Sequence, residues 1–200
     1  PFMPMLHELR ALSTVLKNMR LRRGAIDFDF PEYKVILDPE GVPLRLEKRE
    51  RTIAEQIVEE SMLIANETVA CYLRDSENPS VYRIHELPEP ERLEMMRTVL
   101  SSFNLPIPDT ESVKPADFQK LMEMTKGTDE AAVVQTIALR SMQQARSSTT
   151  NAGHFGLASE CYTHFTSPIR RYPDLMVHRL IRQFQRRGKL TEEESQQSLS

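Results

Sequence analysis

The spacing of apolar residues predicts a chain built mainly of helices. Leucine and methionine recur every three or four positions over residues 6–22, as in an amphipathic helix, and Gly24 follows as a stop signal. A second helix is expected over 51–75, and its second half, apolar on most sides, should be buried. Further helices are expected over 90–103, 115–124 and 131–145, and a last one from Ser167 towards Phe184 with Gly188 as its stop.

A small strand region is predicted between the first two helices. Residues 25–30 alternate apolar and acidic, 33–37 and 42–46 are rich in apolar residues, and 38–41 (Asp-Pro-Glu-Gly) favour a turn. We therefore expect an α+β fold, mostly helical, with a small strand or hairpin region followed by several packed helices. An isolated strand pair is only marginally stable, so these strands are expected to join a sheet begun upstream. An extended segment is also expected at 81–85 and a polar loop at 147–151.

The composition is typical of a soluble globular chain. Hydrophobic residues make up 40% and charged residues 28%, and no apolar run approaches the roughly 18 residues that a membrane span needs. The first residues do not resemble a signal peptide, so we expect a cytoplasmic protein without a membrane partner. Cys71 and Cys161 form no Cys-x-x-Cys pair and are expected to be reduced and buried.

The charge distribution indicates a site for a polyanion. Net charge is −3, which argues against a uniformly basic nucleic-acid binder. Residues 10–23, however, contain five basic residues and no acid, and residues 166–190 contain seven basic residues and one acid. Arg182, Arg186 and Arg187 are interpreted as the solvent-exposed face of the last helix.

The segment 166–174 (Thr-Ser-Pro-Ile-Arg-Arg-Tyr-Pro-Asp) predicts an anion site. If Ser167 caps the last helix, Arg170 and Arg171 lie in its first turn, where a cation is disfavoured by roughly 0.3–1 kcal/mol. A bound phosphate would explain two arginines there. The alternatives are that Asp174 pairs with Arg170, or that Arg171 lies in solvent. Pro173 predicts a kink or a restart of the helix.

Residues 151–158 and 162–175 resemble the signature that ends the catalytic (RNB) domain of ribonuclease R/II exoribonucleases, and are closer to the ribonuclease R branch. In that family the arginine matching Arg170 contacts the scissile phosphate and stabilises charge in the transition state. The resemblance therefore implies a catalytic role for Arg170. The other signature residues predicted to contact RNA are Arg171, Tyr162, Ser167 and His154.

The string Ile-Val-Glu-Glu-Ser-Met at 57–62 carries a second resemblance to the same family. Glu59 and Asn66 are seven positions apart and share one helix face, with Met62 and Leu63 between them. The family's first glutamate lines the active site near the terminal nucleotide, so Glu59 is predicted to be catalytic. A helix face that reaches solvent before burial begins is the alternative, and it is the interpretation given to Glu60.

The segment 24–30 resembles the family's Gly-x-Ile/Leu-x-Phe motif, in which an aromatic ring clamps the 3′-terminal bases. The match is Phe28, whereas Phe30 is interpreted as structural. Asp27 and Asp29 are interpreted as solvated strand-edge residues rather than as metal ligands. A metal site formed by His154, Cys161 and His164 is a weak alternative.

The resemblance implies a hydrolytic, processive 3′→5′ exoribonuclease that degrades single-stranded RNA from its 3′ end to nucleoside 5′-monophosphates. Residues 1–200 are expected to be the carboxyl-terminal half of its catalytic domain and to be inactive alone. Mg²⁺ is expected in the parent enzyme, held by aspartates upstream of Pro1, so no metal site is predicted in this chain. The cold-shock and S1 domains of the family are not part of the 200 residues, and ribosomal or RNA-decay partners cannot be derived. The alternatives are a non-catalytic RNA- or protein-binding scaffold related to the nucleases, and a helical adaptor.

Overall fold

The computed structural model describes residues 2–28, 32–49, 51–106 and 112–188, and it confirms a mostly helical α+β fold. Among these residues, no helix combines the length and the apolar character that a membrane crossing requires. The elements in chain order are α1 (Met3–Arg23), β1 (Glu32–Leu37), β2 (Pro43–Arg49), α2 (Ile53–Asp75), β3 (Tyr82–Ile84), α3 (Pro90–Ser102), α4 (Pro115–Thr125), α5 (Ala131–Ser141), β4 (Arg146–Ser148), a 3₁₀ turn (Phe155–Leu157) and α6 (Tyr172–Arg187).

Helices α1 and α2 pack against each other and begin and end close to where the sequence predicts. Gly24 ends α1 in the left-handed region, at φ 98°, and its N–H donates to carbonyls of the last turn. Thr52 and Glu55 form a capping box that starts α2. A buried ion pair links the two helices, with 2.8 Å between Arg20 Nη2 and Glu60 Oε1. Glu60 is only 2% exposed, so its interpretation as a solvent-facing residue is wrong.

The main hydrophobic core lies among α3, α4, α5 and the 3₁₀ turn. Leu100, Phe118 and Val134 are fully buried in it, and Phe155 packs edge-on against Phe118. A smaller cluster lies between α2 and the β3–β4 pair, where Cys161 is buried and Cys71 is half-buried. Both thiols are free, as expected from their spacing.

The strand region differs from the prediction in its limits. Residues 25–28 form no strand despite their alternating pattern, because the backbone there turns from α1 towards the core, where Ile26 is buried. Strands β1 and β2 form an antiparallel hairpin that pairs with no other described strand. The segment predicted as a polar loop at 147–151 begins inside β4, which pairs with β3. Asp29 and Phe30 lie outside the described residues.

The last helix begins at Tyr172 and not after Ser167. Residues 168–170 form a turn in which the amides of Arg170 and Arg171 donate to the carbonyl of Ser167, at 3.3 and 3.1 Å. Pro173 explains the late start, since it fits the first turn of a helix but would interrupt one that began at residue 168. The predicted restart is therefore confirmed, and the prediction that Arg170 lies in the first turn is wrong.

The rest of α6 agrees with the prediction. Gly188 caps the helix, and its N–H donates to the carbonyl of Phe184 at 2.8 Å. Arg182 and Arg186 are exposed, as expected for the solvent face of an amphipathic helix. The side chain of Arg187 and residues 189–200 lie outside the described part of the chain.

Candidate active site

A groove of about 490 Å³ runs along α2 and brings together three of the predicted site residues, Glu59, Tyr162 and Arg171. The predicted shared face of α2 is confirmed, since its members form one wall of this groove. The described residues that line it are Ala54, Glu55, Val58, Glu59, Met62, Leu63, Asn66, Tyr162 and Arg171. A mostly apolar groove with a few polar groups is typical of a ligand site.

Asn66 connects the two walls of the groove. Its Nδ2 donates to the hydroxyl of Tyr162 at 2.9 Å, and its Oδ1 accepts from the amides of Phe165 and Thr166 at 3.0 and 3.2 Å. The side chain is 2% exposed, so these bonds satisfy groups that water does not reach. Tyr162 is also buried, and burial raises the pKa of its hydroxyl.

The residues 167–171, called the arginine turn below, are held by Asp174. One carboxylate oxygen of Asp174 accepts from the amide of Ser167 at 2.8 Å and from Nη2 of Arg171 at 2.8 Å. Asp174 is 0% exposed and lies in the first turn of α6, where a carboxylate is favoured. The expected alternative, a pair between Asp174 and Arg170, is wrong, because Asp174 pairs with Arg171 instead.

Arg170 is the exposed cation of this turn. It forms no ion pair with any acidic group of the described residues, and the neighbouring Ile169 is fully exposed. The helix-terminus argument for an anion does not apply to it, because Arg170 precedes α6 by two residues. What remains is a guanidinium without a described counter-ion beside Arg171, whose charge Asp174 already balances.

Phe28 lies in a second groove, of about 510 Å³, and not beside Glu59. Arg51 lines this second groove and also pairs with Glu59, so it stands between the two. Asp27 forms an ion pair with Lys17 at 3.2 Å and lies 3.9 Å from Arg51. It is half-buried and belongs to no strand, so its interpretation as a solvated strand-edge residue is wrong. Across the described residues, no group of three or more His, Cys, Asp or Glu could hold a metal ion.

Comparison with known proteins decides the family. The RNB domain family matches residues 2–187 of this chain. The chain belongs to the RNB family. Ribonuclease R 1 of Lactococcus lactis is 50% identical over 173 residues, which cover 86% of this chain and 21% of the relative.

Solved RNB structures share the fold. Ribonuclease R of Mycoplasma genitalium in complex with ribose-methylated single-stranded RNA gives a TM-score of 0.87 at 29% identity, covering 97% of this chain and 31% of that one. The same protein in complex with double-stranded RNA also gives 0.87, covering 97% and 35%. This chain therefore spans about a fifth of the length of the Lactococcus lactis relative and about a third of the length of the two solved chains.

Two histidines of the RNB signature, His154 and His164, pack against the ring of Tyr162. The ring of His154 packs between those of His85 and Tyr162, with centroids 5.0 and 5.2 Å apart, and its Nδ1 accepts from the amide of Leu157. Burial lowers the pKa of His154 to about 3, and burial with the nearby Arg171 lowers that of His164 to about 4. Both imidazoles are therefore neutral near pH 7. That His154 and Ser167 contact RNA stays a prediction.

Three residues of this site were not predicted as functional: Asn66, Arg51 and Asp174. Asn66 had a usable signal, since a buried helix that carries one amide among apolar residues must satisfy it with a specific partner. Asp174 was expected only as an alternative partner of Arg170, although its spacing of three positions from Arg171 also allows a pair. Arg51 had no signal, because its role depends on which neighbour it contacts.

Proposed function

We propose that this chain forms one wall of the active site of a hydrolytic, processive 3′→5′ exoribonuclease that acts on single-stranded RNA. Residues 1–200 are then the carboxyl-terminal half of its catalytic domain, and the product is nucleoside 5′-monophosphates. Membership of the RNB family and the relatives named ribonuclease R support this proposal. The observation that carries it is the exposed Arg170, a cation with no described counter-ion that directly precedes Arg171, a lining residue of the groove.

Each side chain has a role that its surroundings allow. Arg170 contacts the phosphate that is cleaved and stabilises the negative charge that develops on it. Glu59 lines the groove that receives the last nucleotide, and its ion pair with Arg51 orients it. Phe28 stacks on a base in the second groove. Three cations and two acids line this groove, and its small net positive charge favours the RNA backbone.

A magnesium ion is part of the proposal for the whole protein, but the described residues do not fit it. They contain no cluster of three possible ligands, and Asp27 is engaged with Lys17. Mg²⁺ would supply a bound, more acidic water for the attack on phosphorus. This chain's own residues bind and orient the RNA and balance the charge of its phosphate. The cytoplasmic location stays a prediction.

The direction and mode of cleavage test the proposal. The full-length protein with Mg²⁺ should shorten a 5′-labelled single-stranded RNA progressively and release a 3′ label at once as a mononucleotide. A 3′-phosphate on the same RNA serves as the control for an enzyme that needs the 3′ end. Internal cuts, release from the 5′ end, or RNA binding without degradation would contradict the proposal, and the last result would support the scaffold alternative.

A further inference from the structure

Three consecutive backbone amides before and in the arginine turn are bound by two buried side chains. The amides of Phe165 and Thr166 donate to Asn66, and the amide of Ser167 donates to Asp174. This segment belongs to no helix or strand, so its backbone groups need other partners. Asn66 extends from α2 and Asp174 from α6, and the segment is therefore fixed from both sides.

The position of Arg170 depends on this fixation. Arg170 is exposed, and no ion pair with a described residue orients it, whereas Arg171 is held by Asp174. The geometry of the turn is thus the main constraint on where the Arg170 guanidinium can reach. A displacement of about 1 Å in a group that contacts a transition state can lower a rate by about 100-fold.

We infer that Asn66 and Asp174 are positioning residues that act through the arginine turn to place Arg170 for the reaction. This inference rests on the proposed function, in which Arg170 contacts the cleaved phosphate. Asn66 sets the backbone that enters the turn, and Asp174 sets its start at Ser167 and neutralises Arg171. If Asp174 did not hold it, the guanidinium of Arg171 would be free to move towards the RNA backbone in competition with Arg170.

A purely structural role for Asn66 predicts a different result. Loss of its hydrogen bonds would then lower stability and the amount of folded protein without a specific link to Arg170. A double-mutant cycle separates the two cases, because two residues that act through one interaction have non-additive effects.

The cycle uses the full-length protein and single-turnover cleavage of a labelled RNA. We expect Asn66→Ala to lower the cleavage rate by about 10- to 100-fold, with RNA affinity changed by less than about threefold. In the Arg170→Ala background, the same substitution should cost less than about threefold. Asn78→Ala is the matched control, since Asn78 is also buried but bonds to Ser76 beyond the far end of α2. It should leave the rate of the folded protein unchanged.

Two milder variants keep the inference testable if Asn66→Ala does not fold. Asn66→Asp retains an acceptor for the amides of Phe165 and Thr166, and the Tyr162 hydroxyl can donate to it, so the rate should return to within about threefold of the unmodified protein. Asp174→Asn retains an acceptor for Ser167 but weakens the hold on Arg171. It should lower the rate about tenfold, and much less in the Arg170→Ala background.

The outcomes separate the inference from the proposed function. If Arg170→Ala lowers the rate but Asn66→Ala and Asp174→Asn lower it by the same factor in both backgrounds, the positioning role is wrong and the role of Arg170 stands. The positioning role is also wrong if neither variant changes the rate. If Arg170→Ala itself leaves the rate unchanged, both the inference and the proposed role of Arg170 are overturned.

Discussion

The α1–α2 contact and the arginine turn each contain two adjacent residues of like charge, of which one is held in an ion pair by a buried partner and the other is more exposed. On α2, Glu60 is buried against Arg20 while Glu59 faces a groove. In the arginine turn, Arg171 is held by the buried Asp174 while Arg170 is exposed. In both regions one charge is paired with a buried partner while its neighbour is more exposed, since Glu59 pairs with Arg51 at the surface and Arg170 has no described counter-ion. The two ion pairs differ in burial, because Arg20 and Glu60 are both buried whereas the side chain of Arg171 is still 22% exposed.

The largest expected effect is on the buried pair. Arg20→Ala leaves the Glu60 carboxylate buried without its partner and should lower the free energy of unfolding of the full-length protein by about 3–5 kcal/mol. Denaturant unfolding followed by a spectroscopic probe measures this. The control is Arg20→Met combined with Glu60→Leu, which removes both charges and should recover most of the loss. An unchanged midpoint for Arg20→Ala would contradict the assignment of Glu60 to a structural role.

A fall in pH should destabilise the folded protein through the two histidines that pack against Tyr162. His154 has a folded-state pKa of about 3 and His164 of about 4, both below the ordinary value of 6.5. Below pH 6.5 the unfolded chain binds protons that the folded chain does not, so stability falls as pH falls towards the folded-state pKa. Each histidine contributes at most about 1.4 kcal/mol per pH unit.

The measurement is thermal unfolding between pH 7 and pH 4. His154→Gln removes one of the two titrating groups and should flatten the pH dependence. A slope that stays the same in this variant would contradict the assignment of a neutral, buried His154.

A smaller effect is expected for the aromatic side chain of the second groove. Phe28→Ala should weaken RNA binding by about 1–3 kcal/mol if the ring stacks on a base. Tyr33→Ala is the matched control, since Tyr33 is an aromatic residue 59% exposed on β1 and lines neither groove. Equal losses of affinity in fluorescence-anisotropy titrations would show that Phe28 has no specific contact.

The smallest expected change concerns the stability of the exposed glutamate. The side chain of Glu59 is 39% exposed and that of Arg51 43%, so Glu59→Gln should change the free energy of unfolding by no more than about 1 kcal/mol. The Glu59→Gln variant should nonetheless cleave RNA more slowly, because Glu59 lines the groove. A loss of stability as large as that of Arg20→Ala would remove the contrast between the two glutamates.

Much of the fold and part of the site could be predicted from the sequence. The end of α1 followed from local chemistry at Gly24, and the spacing of Glu59 and Asn66 on α2 placed both in one groove. The burial of Glu60 could not be predicted, because it depends on Arg20, 40 positions earlier in the chain. The start of α6 was misplaced, because Ser167 and Pro168 form a good local helix start, whereas Pro173 would interrupt a helix that began there and instead occupies the first turn of α6.

In the proposed function, Arg170 acts on the RNA in the reaction and not only in binding. The most direct test is the single-turnover cleavage rate of Arg170→Ala in the full-length protein, compared with its RNA affinity and with Arg182→Ala, an exposed arginine on α6. We predict a rate lowered by about 100-fold, an affinity lowered far less, and almost no effect of Arg182→Ala. Equal rates for the two variants, or a loss of affinity that accounts for the whole effect, would contradict the claim.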